Sequence, residues 1–379
     1  MPEAGSPVPL VVAGGGAAGF MAAITAAEAG VPQVQLWEAT AEPLSKVRIS
    51  GGGRCNVTHA CFDPKQLCEF YPRGGKQLRG PFFSFQPRDT MDWFESRGVV
   101  LKIEDDNRVF PATDSSQTII DCLVETATKL GVKIWTECGV NSISHNLDAG
   151  EKPEFSLVLT NNNTVVCQKL VLATGSNRVG YQFVENLGHS SVSPIPSLFT
   201  FKIEDKLLHQ LSGLSVPNAE VWVSGNKKTV QSGPLLITHW GMSGPAIIKL
   251  SAWQAKAFFE CDYTVDILVN WISDLSEEKV RQLLTKHKDS NPKKSVGGQS
   301  VFRSIPNRLW RYFVLRAQIG DLDNDQQWHS VSKKQFNRLV QELTLGTYKV
   351  TGKSAFKEEF VTCGGVTLDE VDLKSMQSK

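Results

Sequence analysis

The sequence lacks most of the signals that would place it quickly. Its eight cysteines run from Cys55 to Cys363 without a C-x-x-C pair, which argues against a disulfide framework and fits reduced thiols. Cys55, His59, Cys61 and Cys68 lie close together, but their spacing matches no zinc pattern, so no metal is expected. Neither sign of charge is in excess: 40 Lys and Arg against 39 Asp and Glu leave a net charge of +1. No basic run with interleaved aromatics stands out, so neither a nucleic acid nor a membrane is expected as a partner. There is no internal repeat, no Ser/His/Asp set in a nucleophile elbow, no H-E-x-x-H and no Walker A motif.

One long uncharged stretch is present, at 10–27, and its length imitates a membrane span. It contains Gly14, Gly15, Gly16 and Gly19, and such a cluster suits a strand, a turn and a helix better. The opening Met1-Pro2-Glu3-Ala4 has no positive region of the secretory kind. The expectation is a cytoplasmic protein, or an organellar one if a presequence was removed before Met1. With 379 residues, 41% of them hydrophobic, the chain is long enough for two or three domains with real cores.

The start of the chain reads as a βαβ unit. Residues 10–13 form a short apolar run of the kind found in strands buried on both faces. The alanine-rich stretch to Ala29 is a helix ended by Gly30 and Pro32, and Val34-Gln35-Leu36-Trp37 resumes as a strand. In Gly14-x-Gly16-x-x-Gly19, the first glycine permits a tight turn and the second lets the backbone approach a pyrophosphate. The third brings helix and strand together, and the helix N-terminus offers free N–H groups to phosphates. Glu38, nineteen residues past Gly19 at the end of the second strand, is placed to accept hydrogen bonds from the adenosine ribose. A carboxylate there disfavours a 2′-phosphate.

A second passage, 115–136, reads as a helix capped by Ser115 or Ser116 followed by a strand. Residues 155–160 and 164–168 form a hairpin, and 170–174 a further buried strand. Beyond Pro194 the texture changes to short alternating segments. A helical stretch begins near Ser276, breaks over 286–300 and resumes to about Leu345. Residues 195–350 are therefore expected to form a domain inserted into the first one, 1–194. Residues 351–379 return to it, with 360–366 as a strand of the nucleotide-binding sheet. Lys46 to Asn56, K-V-R-I-S-G-G-G-R-C-N, sets three glycines among Ser50, Arg54 and Asn56, which suits a pyrophosphate and a ribityl chain.

Together these stretches resemble the NAD(P)/FAD-dependent oxidoreductases described as aminoacetone oxidase-like or bile-acid reductase-like flavoproteins. The resemblance rests on G-G-G-A-A-G at 14–19, S-G-G-G-R-C-N at 50–56, N-R-V-F-P at 107–111 and A-T-G at 173–175. It extends to T-H-W-G-M-S-G-P at 238–245 and C-G-G-V at 363–366. It implies an α/β fold: a Rossmann-like FAD-binding domain interrupted by a β-rich plus helical insert. By resemblance, Gly14, Gly16, Ala17, Ala18 and Gly19 would face the pyrophosphate and Glu38 the ribose. Lys46, Ser50, Gly51, Arg54 and Asn56 would lie along the ribityl and pyrophosphate side. Val140 would touch adenine through its backbone, and Thr174 and Gly175 would sit beneath the cofactor. The family pattern usually reads A-T-G-G, whereas Ser176-Asn177-Arg178 follow here. It also continues with a strand and helix that close over the flavin, and Lys379 comes shortly before that segment.

The implied activity is hydride transfer between flavin N5 and a small organic substrate, with NAD(P)H as donor. The alternative is a non-catalytic or partially active flavin-binding protein with an incomplete C-terminal FAD site. His239 could move a proton, bind a substrate carbonyl, or simply order its glycine-rich turn. Arg108 could bind an acidic substrate or pair with Asp105 or Asp106. Cys55 could be a redox thiol or a packing residue, and no second cysteine is placed to make a dithiol.

Overall fold

The computed structural model describes residues 7–146, 154–322, 324–353 and 361–379. The chain divides into two compact units, Met1–Pro194 with Gly364–Lys379, and Ile195–Cys363.

In the first unit the elements run β1 Val8–Ala13, α1 Ala17–Glu28, β2 Val34–Trp37, α2 Ser45–Gly53, β3 Thr58–His59, α3 Pro64–Glu69, α4 Gly75–Ser84 and α5 Pro87–Glu95. They continue with β4 Leu101–Ile103, β5 Arg108–Pro111, α6 Ser116–Lys129, β6 Lys133–Trp135, β7 Val140–Asn146, β8 Glu154–Leu159, β9 Thr164–Leu172, α7 Arg178–Asn186 and β10 Ser191–Ser197. Six strands form one sheet in the order β6-β2-β1-β9-β8-β7. β1 pairs in parallel with β2 on one side and β9 on the other. It is therefore central, and its apolar run has no polar alternation because both faces are covered. Leu10 and Val12 pack with Phe20, Ile24, Ile119 and Leu123, while Val11 packs with Trp37, Leu157 and Phe183.

The uncharged stretch at 10–27 is thus split between β1 and a helix of 12 residues. No helix among the described residues is long and apolar enough to cross a membrane. α6 is capped by the Ser115 side chain, which accepts from Gln117 N at 3.3 Å. One correction concerns the hairpin: residues 164–168 and 170–174 are not two strands. β9 is a single strand of nine residues, antiparallel to β8 over 164–167 and parallel to β1 over 167–172. A three-stranded sheet, β3-β5-β4, and the helices between β2 and β4 fill a stretch for which the periodicity suggested little.

In the second unit β11 Phe201–Ile203, α8 Lys206–His209, β12 Ser215–Val223, β13 Gln231–Thr238, β14 Gly241–Ser243, α9 Pro245–Trp253, α10 Ala255–Glu260 and β15 Val265–Asn270 come first. α11 Glu277–Ser290, α12 Asn307–Arg316, α13 Lys333–Leu345 and β16 Gly346–Lys353 follow. Six strands close a barrel in the order β11-β14-β13-β12-β15-β16. β16 pairs with both β15 and β11 and so closes the ring. The expected boundary at 350 falls inside this strand. The first helical stretch also runs past 286, to Ser290, because its Ser276 cap and buried Val280 and Leu284 sustain it.

The segment expected at 360–366 is β17 Val361–Val366, with Phe360 outside the described residues. It does not join the six-stranded sheet; it pairs with β10. Gly364 is required there, since a Cβ would lie 2.7 Å from Val192 O and 2.8 Å from Ser193 O.

Candidate functional site

The carboxyl ends of β1, β2 and β9 meet at one edge of the sheet, where an open parallel sheet receives nucleotides. The glycines after β1 divide their tasks more sharply than a motif shows. Gly14 has φ +118°, and a Cβ there would lie 2.3 Å from Ala173 O, so the turn is pressed against the end of β9. A Cβ on Gly19 would lie 1.8 Å from Gly14 O and 3.3 Å from Leu36 Cδ1, which is the close helix–strand approach. A Cβ on Gly16 would meet nothing within 4 Å. At this one glycine the space is left open by the protein itself.

Gly16 is the N-cap of α1 and no side chain caps the helix. The amides of its first turn, on Ala17, Ala18 and Gly19, have no intrahelical partner. Ala17 and Ala18 are exposed, and their methyl groups leave the helix end and its partial positive charge open to an anion.

Glu38 is held in place from three directions. Its Oε2 accepts from Gly15 N and its Oε1 from Thr40 N and Thr40 Oγ1, each at 2.8 Å. The middle glycine of the triplet makes this possible, because a Cβ on Gly15 would strike Glu38 Cβ at 2.8 Å. Neither Gly15 nor Thr40 was singled out in the sequence; the short E-x-T spacing was the available signal. A carboxylate has about four acceptor positions, so Oε2, which accepts only from Gly15 N, keeps one open. A second opens on Oε1 when Thr40 Oγ1 turns to Glu42 O, 3.1 Å away. The segment before Val140 is tied to the same place: Cys138 N donates to Glu38 O at 2.8 Å and Glu137 N to Thr40 O at 3.0 Å.

The glycine-rich block is a helix that turns left-handed. Ser50 leaves helical geometry, and Gly51, Gly52 and Gly53 have φ of 58°, 72° and 86°. Gly51 packs tightly, since a Cβ would approach Asn56 N to 2.8 Å, whereas Gly52 and Gly53 face open space. Ser50 Oγ donates to Val47 O at 2.9 Å. The Asn56 carboxamide, with its nitrogen toward Thr58 O at 2.9 Å and Val109 O at 3.3 Å, holds the loop on β5. Lys46 Nζ donates to Ser176 Oγ at 2.6 Å, so the block meets the turn after β9. In that turn Gly175 has φ +60° with open space beside it. Asn177 caps α7 by accepting from Val179 N at 3.0 Å, which gives a local task to the departure at 176–178. Gly180 lets α7 approach Thr174, because a Cβ would lie 1.9 Å from Thr174 Oγ1.

Arg54 and Arg108 are occupied otherwise. Arg54 lies 2.6 Å from Glu104 Oε1, 3.4 Å from Asp114 Oδ1 and 4.0 Å from the Phe110 ring centroid. Its hydrogen bond to Glu104 raises the guanidinium above its ordinary value. Lys102 and then Arg54 hold Asp114 below the usual carboxylate range. Arg108 pairs with Asp106 at 2.7 Å and Glu104 at 3.2 Å; of the two expected partners it takes Asp106. Burial pushes Asp106 up, but the hydrogen bonds from Arg108 outweigh it and hold the group low. Cys55 is buried, and burial pushes its thiol up, the opposite of what a reactive thiolate needs.

His239 belongs to the second unit, in the turn between β13 and β14. It is exposed, with its ring edge-on to Trp240 at 4.2 Å. The neighbouring glycines are explained by barrel packing: a Cβ on Gly241 would lie 2.3 Å from Phe201 O, and one on Gly244 2.8 Å from Pro234 O.

The βαβ unit thus joins a carboxylate fixed by three hydrogen bonds to an uncapped, open helix N-terminus. The HI0933-like protein Rossmann domain matches residues 8–379. The chain belongs to that family. A ribosomal RNA dihydrouridine synthase from Escherichia coli (strain K12) is 28% identical, with 97% of this chain and 88% of that protein covered. The protein of the same name from Haemophilus influenzae is 26% identical with the same coverage. A 3-dehydro-bile acid delta(4,6)-reductase from Clostridium scindens is 22% identical, over 97% of this chain and 89% of that one. The resemblance read from the motifs thus holds for the Rossmann family, and one relative carries the bile-acid reductase name.

Proposed function

We propose that this protein is an FAD-dependent oxidoreductase that reduces a carbon–carbon double bond conjugated to a carbonyl, with NAD(P)H as electron donor. The observation that carries the cofactor is the contrast at Gly16: the loop is packed at Gly14, Gly15 and Gly19 and open only where a pyrophosphate must approach. The first-turn amides of α1 would hold that pyrophosphate and Glu38 the adenosine ribose. Lys46 and the backbone of Gly52 and Gly53 would lie along the remainder, and Thr174 and Gly175 beneath it. FAD, when bound, supplies a carrier that takes a hydride from one molecule and gives it to another.

The relatives support the acceptor class. Dihydrouridine is uridine with two hydrogens added to a ring double bond conjugated to a carbonyl, and a delta(4,6)-reductase of a 3-oxo steroid acid acts on the same functional group. The first reading of the acceptor is uridine in ribosomal RNA, since two relatives at 28% and 26% identity span 97% of this chain. The second is a small conjugated ketone, favoured by the relative at 22% and by the expected small-molecule substrate.

The test is to purify the protein, identify the bound flavin, and follow its bleaching by NADH and NADPH without oxygen. The reduced protein is then offered uridine-containing ribosomal RNA and a 3-oxo-4,6-diene steroid acid, with products read by mass spectrometry. No flavin, no bleaching by either donor, or no hydrogen gained by either acceptor refutes the corresponding part.

A further inference from the structure

Residues 62–88 hold what the whole-chain charge averages away. The stretch carries five basic side chains, Lys65, Arg73, Lys76, Arg79 and Arg88, against Asp63 and Glu69. The remaining residues, 35 basic and 37 acidic, have a slightly negative balance. The sequence pattern hides the patch because its cations are spaced singly rather than in a run.

The fold gathers them. α3 and α4 pack against each other, and a Cβ on Gly75 would lie 2.5 Å from Cys68 O, so the helices meet closely at the start of α4. Beside that meeting point is a hollow of about 520 Å³ lined by Lys65, Tyr71, Arg73, Lys76 and Arg79, among others. Tyr71 of this lining is 41% exposed, and Phe70, Phe83 and Phe85 of the same segment are 55%, 64% and 46% exposed. Soluble surfaces rarely leave several large rings together in water without a use.

The composition of the patch selects its occupant. Its exposed large apolar side chains are all aromatic, while Leu67 is buried. Planar rings among cations are what single-stranded nucleic acid needs, since bases stack on the rings and phosphates take the cations. A membrane-seeking face carries aliphatic residues as well. We propose that 62–88 is an RNA-docking surface, with Lys65, Lys76 and Arg79 on phosphates and Phe70, Tyr71 and Phe83 stacking unpaired bases. This rests on the reading of RNA uridine as acceptor.

The experiment is fluorescence polarisation of a labelled, uridine-rich single-stranded RNA over a salt series. It compares the parent protein with Lys76→Glu/Arg79→Glu and with Phe83→Ser. The charge variant should bind at least tenfold more weakly at low salt and flatten the slope of log affinity against log salt by about 1.4, two phosphates at roughly 0.7 each. Phe83→Ser should lose about tenfold with the slope unchanged. Circular dichroism and flavin bleaching by NAD(P)H should be unaltered in both. Equal binding by all three proteins, or no RNA binding by the parent, overturns the surface while leaving the flavin chemistry standing. Binding of phosphatidylserine vesicles in place of RNA, lost in the same variants, also overturns it. RNA held through this surface with no uridine reduced overturns the acceptor reading instead and leaves the surface standing.

Discussion

Three glycines of one loop are expected to fail in two different ways. Gly16 has φ −83° and ψ −176°, which any residue adopts, and a Cβ there meets no protein atom within 4 Å. Gly16→Val should therefore leave the apoprotein folded, at a cost of about 1 kcal/mol or less for a poorer helix cap. Its side chain fills the space proposed for the pyrophosphate, so FAD binding should fall below detection. Gly19→Ala is the reverse. Its Cβ would sit 1.8 Å from Gly14 O, and ordinary contact requires α1 to move from β1 by more than an ångström, roughly, inside a packed core. Overpacking of that kind costs about 1–3 kcal/mol. Gly14→Ala adds left-handed strain at φ +118° to a Cβ 2.3 Å from Ala173 O, for roughly 2–5 kcal/mol. Urea unfolding of the three apoproteins, with FAD titration of each, separates the cases. A flavin-loaded Gly16→Val protein would refute the assignment of the open space. Coincident urea midpoints for Gly16→Val and Gly19→Ala would refute the packing argument.

Glu38→Ala should weaken FAD binding by about 2 kcal/mol, near thirtyfold, for the loss of a charge-assisted bond to the ribose; unchanged affinity in the same titration removes Glu38 from the site. Arg54→Met should lower stability by roughly 1–2 kcal/mol, through its partly exposed ion pairs and its stacking on Phe110, and change FAD affinity less than Glu38→Ala does. A larger affinity loss for Arg54→Met would mean that it leaves Glu104 for the cofactor. Glu370 is held down to about 2 by Ser190 and His189, so its carboxylate stabilises the contact with Ser190 above about pH 4.5 and loses that effect as pH falls toward about 2. The gap in amide-exchange protection at Ser190 between parent and Glu370→Gln should close over that window; a gap that persists to its lower end contradicts the linkage. Alkylation at pH 8 should label exposed Cys261 and spare Cys167, whose thiol burial pushes up to about 12. Modified Cys167 in the intact protein, read by peptide mass spectrometry, would show that burial does not protect it.

What the sequence determined by itself is what adjacent residues settle among themselves. Val34–Trp37 begins and ends where the sequence places it, between Gln33 and Glu38. α6 starts at its serine cap and ends before Gly131, which has φ +74°. Such features depend on capping, backbone freedom and local burial, and the chain carries them at close range. The G-x-G-x-x-G spacing likewise carries the close approach at Gly19, because that contact is set by the strand–helix turn itself.

Which partner each group would find depended on the folded chain. β9 is one strand because β1 and β8 pair with it from opposite sides, and β17 joins β10 because Gly364 fits against Val192 and Ser193. Long-range strand pairing of this kind leaves no periodic trace. Gly15 became a seat of Glu38 only when β1 and β2 were side by side, and Arg54 found Glu104 fifty residues away. The cations of 62–88 stand singly along the chain and come together in space, because α3 and α4 pack against each other.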